Sequence, residues 1–459
     1  MSGQNAHRRQ QTSQPNRKPI PGLPARSHAA DLVFSVLTEQ KGLDSAFEGL
    51  STSSGDHAGA DRALIQALVL TTLRRLPTLD RAINACLDKP LHANAAKAMA
   101  ILRVMAAQLL VMDMADHAAV TLAVEDAARR KDTRKLKGLI NAVGRRMVRE
   151  KQALTKATPV SDLPGWLENR WRQTYGPKRA AKIAFAVQQQ PAIDLSLKPD
   201  ADMQAWLEKL ADHDPIALNS QSVRLIKPGS IERLPGFEDG DWWVQDIAAT
   251  LPARVLLDAL SAPSDAHVLD LCAAPGGKTA QMASAGCNVT ALDQSAPRMK
   301  RLTANMARLG LMVKTHIGDA LTFSPDQCFD AVLLDAPCSA TGTLRRNPDI
   351  GYVRRDRDIQ SLAKLQANLL SKSANFVKPG GVLVFATCSL EPEEGEAQIT
   401  RFLREHKDWS LDPVTPELAP EGALQDDGTL RTLPHLMADQ DGKSHGMDGF
   451  FVARLRATA

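Results

Sequence analysis

Val332-Leu333-Leu334-Asp335-Ala336-Pro337-Cys338-Ser339 and Val382-Leu383-Val384-Phe385-Ala386-Thr387-Cys388-Ser389 share one local frame, an apolar run followed by Pro or Thr and then Cys-Ser. Each places its cysteine at the carboxyl end of a strand, the edge at which open α/β sheets bind ligands. The two thiols therefore face one cleft, beside the loop Leu271-Cys272-Ala273-Ala274-Pro275-Gly276-Gly277-Lys278 that ends an earlier strand. A thiol pair next to a ligand loop points to covalent chemistry.

Strand and helix patterns alternate around these frames, with strands at 267–271, 288–293, 313–317 and 329–335 and helices at 279–285 and 296–309. A helix over 358–377, a strand over 381–387 and a terminal strand over 450–455 continue the series. Such alternation predicts a mostly parallel, doubly wound sheet over residues 240–459. Upstream, prolines punctuate 156–239, where short helices flank a strand at 193–197 and the turns Lys227-Pro228-Gly229-Ser230 and Leu234-Pro235-Gly236-Phe237 mark the end of a small α/β domain. Residues 28–155 are helical in spacing throughout, with Ala29, Leu32, Val33, Val36 and Leu37 on one face, which predicts an all-α bundle. Residues 1–27 carry Arg8, Arg9, Arg17, Lys18 and Arg26, no acid and no apolar core of a secretory signal, and read as a disordered basic arm.

At 459 residues the chain exceeds what one hydrophobic core supports, in keeping with this division. No run is long and apolar enough to span a bilayer, so a membrane protein is not expected. The six cysteines, at 86, 272, 287, 328, 338 and 388, have neither CxxC spacing nor the density of a disulfide scaffold, which predicts reduced thiols in a cytoplasmic protein. With a net charge of only +4, nucleic-acid binding has to come from a local patch. One exists at the end of the helical part: Arg129, Arg130, Lys131, Arg134, Lys135, Lys137, Arg145, Arg146, Arg149 and Lys151 stand against Asp132 and Glu150. It reads as a phosphate-binding surface, with a solvated helix face as the plainer alternative.

The loop from Cys272 to Lys278 joins a strand to a helix through adjacent glycines, which let a ligand approach the backbone. It matches neither G-x-G-x-x-G nor G-x-x-x-x-G-K-[ST], so an adenosyl cofactor without a phosphate chain fits better than a dinucleotide or a nucleoside triphosphate. Asp293, at the end of the next strand about twenty residues on, is placed to accept from ribose hydroxyls. Asp319, after the third strand, is a second acid for the ribose or the adenine edge, although either acid alone reads equally well as surface. Asp335 stands at a strand tip where it could hold the N3 edge of a pyrimidine; its plainer reading is a helix N-cap. Methylation at carbon 5 of cytosine needs a nucleophile at carbon 6 and a base that later removes the carbon 5 proton, and two thiols can divide these tasks. Cys86, Cys287 and Cys328 lack the frame and read as structural.

The segments Asp270-Leu271-Cys272-Ala273-Ala274-Pro275-Gly276-Gly277-Lys278-Thr279, Asp335-Ala336-Pro337-Cys338-Ser339-Ala340-Thr341-Gly342 and Thr387-Cys388-Ser389-Leu390, followed by Glu393, Glu394 and Glu396, resemble the Nop/Sun family of RNA cytosine-5 methyltransferases. With the helical leader, the chain resembles the branch of that family that has a NusB-like N-terminal domain and acts on 16S rRNA. The resemblance implies a NusB-like bundle, a small α/β connecting domain and a Rossmann-like methyltransferase domain. It further implies S-adenosylmethionine bound through Cys272 to Lys278, Asp293, Asp319 and Asp335, with Cys388 as nucleophile and Cys338 as release base. Asn347 in Arg345-Arg346-Asn347-Pro348-Asp349 departs from the histidine expected there, which bears on a local RNA contact. The aromatic pair Phe450-Phe451 is expected to pack in the core. A monomer is expected. Transfer RNA, another ribosomal site, or a non-catalytic RNA-binding role in ribosome assembly remain competing readings.

Overall fold

The computed structural model describes residues 20–44, 46–47, 59–156, 161–438 and 446–458. Most of the expected basic arm lies outside them, but its end does not: a helix starts at Leu23 and runs to Phe34, earlier than the boundary expected at 27/28. The turn at Pro21-Gly22, the proline at position 24 in the first helical turn and the burial of Leu23 and Ala25 account for the earlier start.

The chain forms two compact units, one from the described residues within 1–34, 46–71 and 82–156, the other from those within 35–45, 72–81 and 157–459. The first is helical. Its helix Ala96–Leu110 buries ten side chains and packs against helices Leu23–Phe34, Asp116–Arg129 and Lys137–Lys156. Gly144 allows the last of these to approach closely, since a Cβ there would lie 3.0 Å from both Met105 and Val120. Half of the expected basic stripe is committed to ion pairs: Arg129 with Glu125, Arg130 with Asp126 and Asp31, Arg146 and Arg149 with Glu150, Lys151 with Asp113 and Asp116. Lys131, Arg134, Lys135, Lys137 and Arg145 are exposed.

The second unit contains two sheets. Strands β1 (Ile193–Leu197), β2 (Pro215–Asn219), β3 (Ser222–Leu225) and β4 (Trp242–Val244) form an antiparallel sheet in the order β2-β3-β1-β4. The boundary expected at 239/240 is thus crossed: Trp242–Val244 pairs with β1 and completes the smaller sheet, because pairing and not the preceding turn decides where a strand belongs. A buried ion pair fastens this sheet to the next helix, Ile247–Asp258. Arg224 grips Asp194 with two bonds of 2.7 and 2.8 Å, and Asp194 also accepts from the backbone N–H of Ile247, the first residue of that helix.

The larger sheet is made of β5 (His267–Leu271), β6 (Asn288–Asp293), β7 (Lys314–Ile317), β8 (Phe329–Asp335), β9 (Val377–Thr387), β10 (Trp409–Leu411), β11 (Leu430–Arg431) and β12 (Phe451–Ala457). Among the described residues its order is β10-β12-β9-β8-β5-β6-β7, with β11 on β12. The five strands from β9 to β7 are parallel, and β12 runs antiparallel between β9 and β10. The chain steps outward from β5 to β7 and then returns to the other side of β5 with β8, so the topological switch lies between β5 and β8. Alternate residues serve two cores, Leu333, Val384 and Ala386 on one face and Leu334, Leu383 and Phe385 on the other. The helix expected to reach Val377 ends at Ala374, and Val377 already pairs with Phe329: tertiary pairing overrides the helical spacing of those last residues. No helix among the described residues is long and apolar enough to cross a membrane.

Removing Asp194 would leave the buried Arg224 without its two-pronged partner. Asp194→Ala is expected to destabilise the protein by about 3–5 kcal/mol, read as a lower urea midpoint.

Candidate active site

Parallel pairing sets Leu334 beside Phe385 and Asp335 beside Ala386, so the turns after β8 and β9 lie side by side. Cys338 and Cys388 meet there with their sulfurs 3.4 Å apart. Cys338 is buried, whereas Cys388 lines a cavity of about 610 Å3. The turns are stitched together by Gly342 N–H donating to the Cys388 carbonyl at 3.0 Å and Leu390 N–H donating to Thr341 Oγ1 at 3.0 Å. Gly342 has to be glycine, because a Cβ there would come within 2.0 Å of the Gly449 carbonyl. The helical segment Gly165–Gln188 braces the second turn: Trp171 Nε1 donates to Glu391 at 3.0 Å, Arg170 pairs with the same carboxylate, and Tyr175 donates to the Leu390 carbonyl.

The cavity floor is the turn after β5. Ala273 to Lys278 line it, with the Ala274–Pro275 bond cis and Gly276 at φ 105°. Lys278 reaches in to place Nζ 2.7 Å from Asp335 Oδ2 and 5.2 Å from the centre of the Phe450 ring. Burial works against its charge, but Asp335 and the neighbouring Cys388 outweigh that and raise its pKa. A second cation, Arg346, lines the same cavity and is held by Asp448 through Nε at 2.8 Å; burial opposes it too, but the acids Asp448 and Asp246, with Cys388, raise its pKa. Cys338 is pushed well above the ordinary thiol range by its bond to Cys388, by burial and by the negative charges of Cys388 and Glu394.

Asp270, at the base of the turn, is fully buried, and burial pushes its pKa up to about 7. One oxygen accepts from Thr279 Oγ1 at 2.6 Å; the other has no hydrogen-bond partner among the described residues. An orphaned carboxylate oxygen on the wall of a cavity suits a cationic ligand, and the amino and sulfonium groups of S-adenosylmethionine are of that kind.

Of the residues singled out in the sequence, Ala273, Ala274, Pro275, Gly276, Gly277, Lys278, Asp335 and Cys388 come together on this cavity, with Cys338 directly behind Cys388. Cys272 lies behind the turn at φ 60°, and burial drives its thiol up to about 12. Asp293 is buried; it accepts from Ala274 N–H at 3.2 Å and Ser295 N–H at 2.9 Å and pairs with Arg298 at 3.6 Å. Asp319 is exposed and accepts from Leu321 N–H in the turn after β7. Neither acid lines the cavity as it stands.

In the stretch Arg345-Arg346-Asn347-Pro348-Asp349, Arg345 is fully buried and bonded to Asp246 and Asp448. Asn347 stays on the cavity and donates to Thr343 Oγ1 at 3.1 Å. The aromatic pair packs in the core as expected, one ring in each face's core: Phe451 lies edge-on against Phe385, and Phe450 joins the opposite core with its ring 5.2 Å from Lys278 Nζ, since neighbours along an extended chain face opposite ways. Gly42 and Asp44 also reach the cavity, anchored by Leu43 N–H donating to Asp349 at 3.0 Å; nothing local in the sequence signals this, because their partner is about three hundred residues away.

A family model described as 16S rRNA methyltransferase RsmB/F matches residues 257–456, and a NusB family model matches residues 23–149. Ribosomal RNA small subunit methyltransferase B of Yersinia pestis bv. Antiqua (strain Angola) is 36% identical over 449 residues, 94% of this chain and 98% of that protein. The crystal structure of PH0851 superposes with a TM-score of 0.70 at 24% identity, over 96% of this chain and 100% of the other. NSun6 from Pyrococcus horikoshii, solved with SFG, gives a TM-score of 0.56 at 20% identity, over 64% and 98%. The two structures show a shared fold; the likeness to the Yersinia protein along nearly the whole of both chains, with the two matching family models, shows that this protein belongs to the RsmB/F family of 16S rRNA methyltransferases.

Proposed function

We propose that the protein methylates carbon 5 of a cytosine in 16S rRNA through a covalent bond between Cys388 and carbon 6 of the base. The observation that carries this reading is the contact of two thiols, one buried and one facing the cavity, beside the Lys278–Asp335 pair. The turn Ala273–Lys278 and the orphaned oxygen of Asp270 would hold S-adenosylmethionine. That cofactor supplies an electrophilic methyl group when bound.

The target base has to leave its stack to enter such a cavity. Asp335 holds its N3 edge. Lys278 and Arg346 line the cavity that Cys388 faces and place two cations around the attacking sulfur. Addition to carbon 6 makes carbon 5 nucleophilic and removes the negative charge of Cys388. With that charge gone, Cys338 loses one of the influences that held its proton; after passing that proton to solvent, its thiolate, or a water that it orients, takes the proton from methylated carbon 5. Elimination then restores carbon 5–carbon 6 unsaturation and frees Cys388. Lys131, Arg134, Lys135, Lys137 and Arg145 of the helical unit supply phosphate contacts that carry no sequence information.

Cys388→Ala is expected to abolish both turnover and adduct with under-methylated 16S rRNA. Cys338→Ala is expected to lose turnover but accumulate a protein–RNA adduct that survives denaturing gels; base-resolution mapping of labelled methyl identifies the position. An adduct in Cys388→Ala and none in Cys338→Ala would exchange the two roles.

Asp270 gives a second test. Its folded pKa of about 7 lies above the ordinary carboxylate value, so its contribution to stability is fully present below about pH 4 and is lost as pH rises through 7. Asp270→Asn removes that dependence. The variant is expected to melt higher than the parent, by more at pH 8 than at pH 5, and to lose heat of binding for S-adenosylmethionine in calorimetry. Full retention of binding would remove Asp270 from the cofactor site.

A further inference from the structure

Glu394 is fully buried in the short helical turn Pro392–Glu394, and its four donors are neutral groups. Ser339 N–H and Gln366 Nε2 each donate to Oε1 at 2.9 Å, while Ser389 Oγ at 2.6 Å and Ser339 Oγ donate to Oε2. Ser339 follows Cys338 and Ser389 follows Cys388, so the carboxylate bonds the residue next to each thiol. Gln366 adds a bond of 2.9 Å to the carbonyl of Pro337, just before Cys338, and Thr387, just before Cys388, donates to the Glu394 carbonyl at 3.0 Å. Both cysteines are thus bracketed on either side by contacts that converge on one residue.

A buried carboxylate costs several kcal/mol unless hydrogen bonds replace its water shell. Donors that serve only stability could come from any element. Here three of the four come from the two Cys-Ser turns and the fourth from the side chain that also holds Pro337. A neutral amide could not reproduce the arrangement, because only one of its two terminal atoms accepts.

We propose that Glu394 is a positioning residue that ties the turn after β8 to the turn after β9 and so holds the two thiols at their working separation. The inference rests on the two-thiol reading of the site. Loosening the clamp lets Cys338 drift from the carbon 5 proton while Cys388 still reaches carbon 6, so release suffers before attack.

The test uses the full-length protein with under-methylated 16S rRNA and labelled S-adenosylmethionine. It measures the ratio of denaturant-resistant adduct to methylated product in Glu394→Gln, Ser389→Ala and Ser389→Thr, beside the parent and Cys338→Ala. Glu394→Gln and Ser389→Ala are expected to raise the ratio at least ten-fold, with RNA affinity within about two-fold of the parent, and Ser389→Thr, which keeps the hydroxyl, to restore it. Adduct and product falling in parallel with the melting temperature, at an unchanged ratio, would show that Glu394 only stabilises the fold and would overturn the proposal. Absence of adduct in Cys338→Ala would be a different failure, that of covalent attack itself, and the role of Glu394 would fall with it. Ser389→Ala keeps the proposal testable if Glu394→Gln does not fold.

Discussion

The parallel ladder between β8 and β9 sets Asp335 opposite Ala386, and each strand then runs within three residues into a Cys-Ser turn. A slip of one residue in that register would turn the alternate side chains of β9 to the opposite face, moving Val384 and Ala386 out of one core and Leu383 and Phe385 out of the other. Burial on both faces therefore fixes the register, and the register fixes where the thiols meet. The contact of 3.4 Å between Cys338 and Cys388 is a consequence of sheet packing before it is a feature of catalysis.

Electrostatics then makes the two sulfurs unequal. They share one frame in sequence, but Cys338 is buried beside Glu394, while Cys388 opens on a cavity that holds Lys278 and Arg346. With cations on the cavity beside one thiol and an anion beside the other, the proposed reaction can divide attack and proton handling between them without a change of residue type. In the proposed reaction this asymmetry also orders the steps, because the charge that keeps Cys338 protonated disappears when Cys388 bonds to carbon. The same contrast of environments appears at Cys272, which sits in the cofactor turn by sequence but is raised to about 12 by burial, where it stays an inert thiol.

How much of this was legible in the sequence depends on how local each cause is. Strands β5, β6 and β8 have the expected bounds because each is an apolar run cut off by a turn. The start of β9 and the sheet membership of β4 were not legible, since in both a pairing partner overrides local texture. The turn after β5, the Cys-Ser frames and Asp335 converge as expected because strand ends of a parallel sheet share one edge. Asp293 and Asp319 have the right spacing, but spacing does not say what the carboxylate bonds: one braces the turn from behind and the other caps a surface turn. Gly42 and Asp44 gave no signal, because their place on the cavity depends on a partner far along the chain.

The charges beneath the cavity show what such long-range partners accomplish. Asp246 caps helix Ile247–Asp258 through Ala248 N–H at 2.9 Å, accepts from Asp448 N–H at 3.0 Å and pairs with Arg345 at 2.7 Å; Arg345 reaches Asp448 as well, and Asp448 holds Arg346. Three stretches about a hundred residues apart in sequence thereby meet in one buried network. Buried ion pairs are weak contributors to net stability, since desolvation cancels much of their attraction. Their effect here is geometric. With Arg345 consumed in holding the stretches together, Arg346 is the neighbour left to line the cavity, and its guanidinium arrives already oriented by Asp448. Arg346 is itself exposed, but Asp448 holds its guanidinium, so less ordering is left to be done when a ligand reaches the cavity than for an untethered arginine.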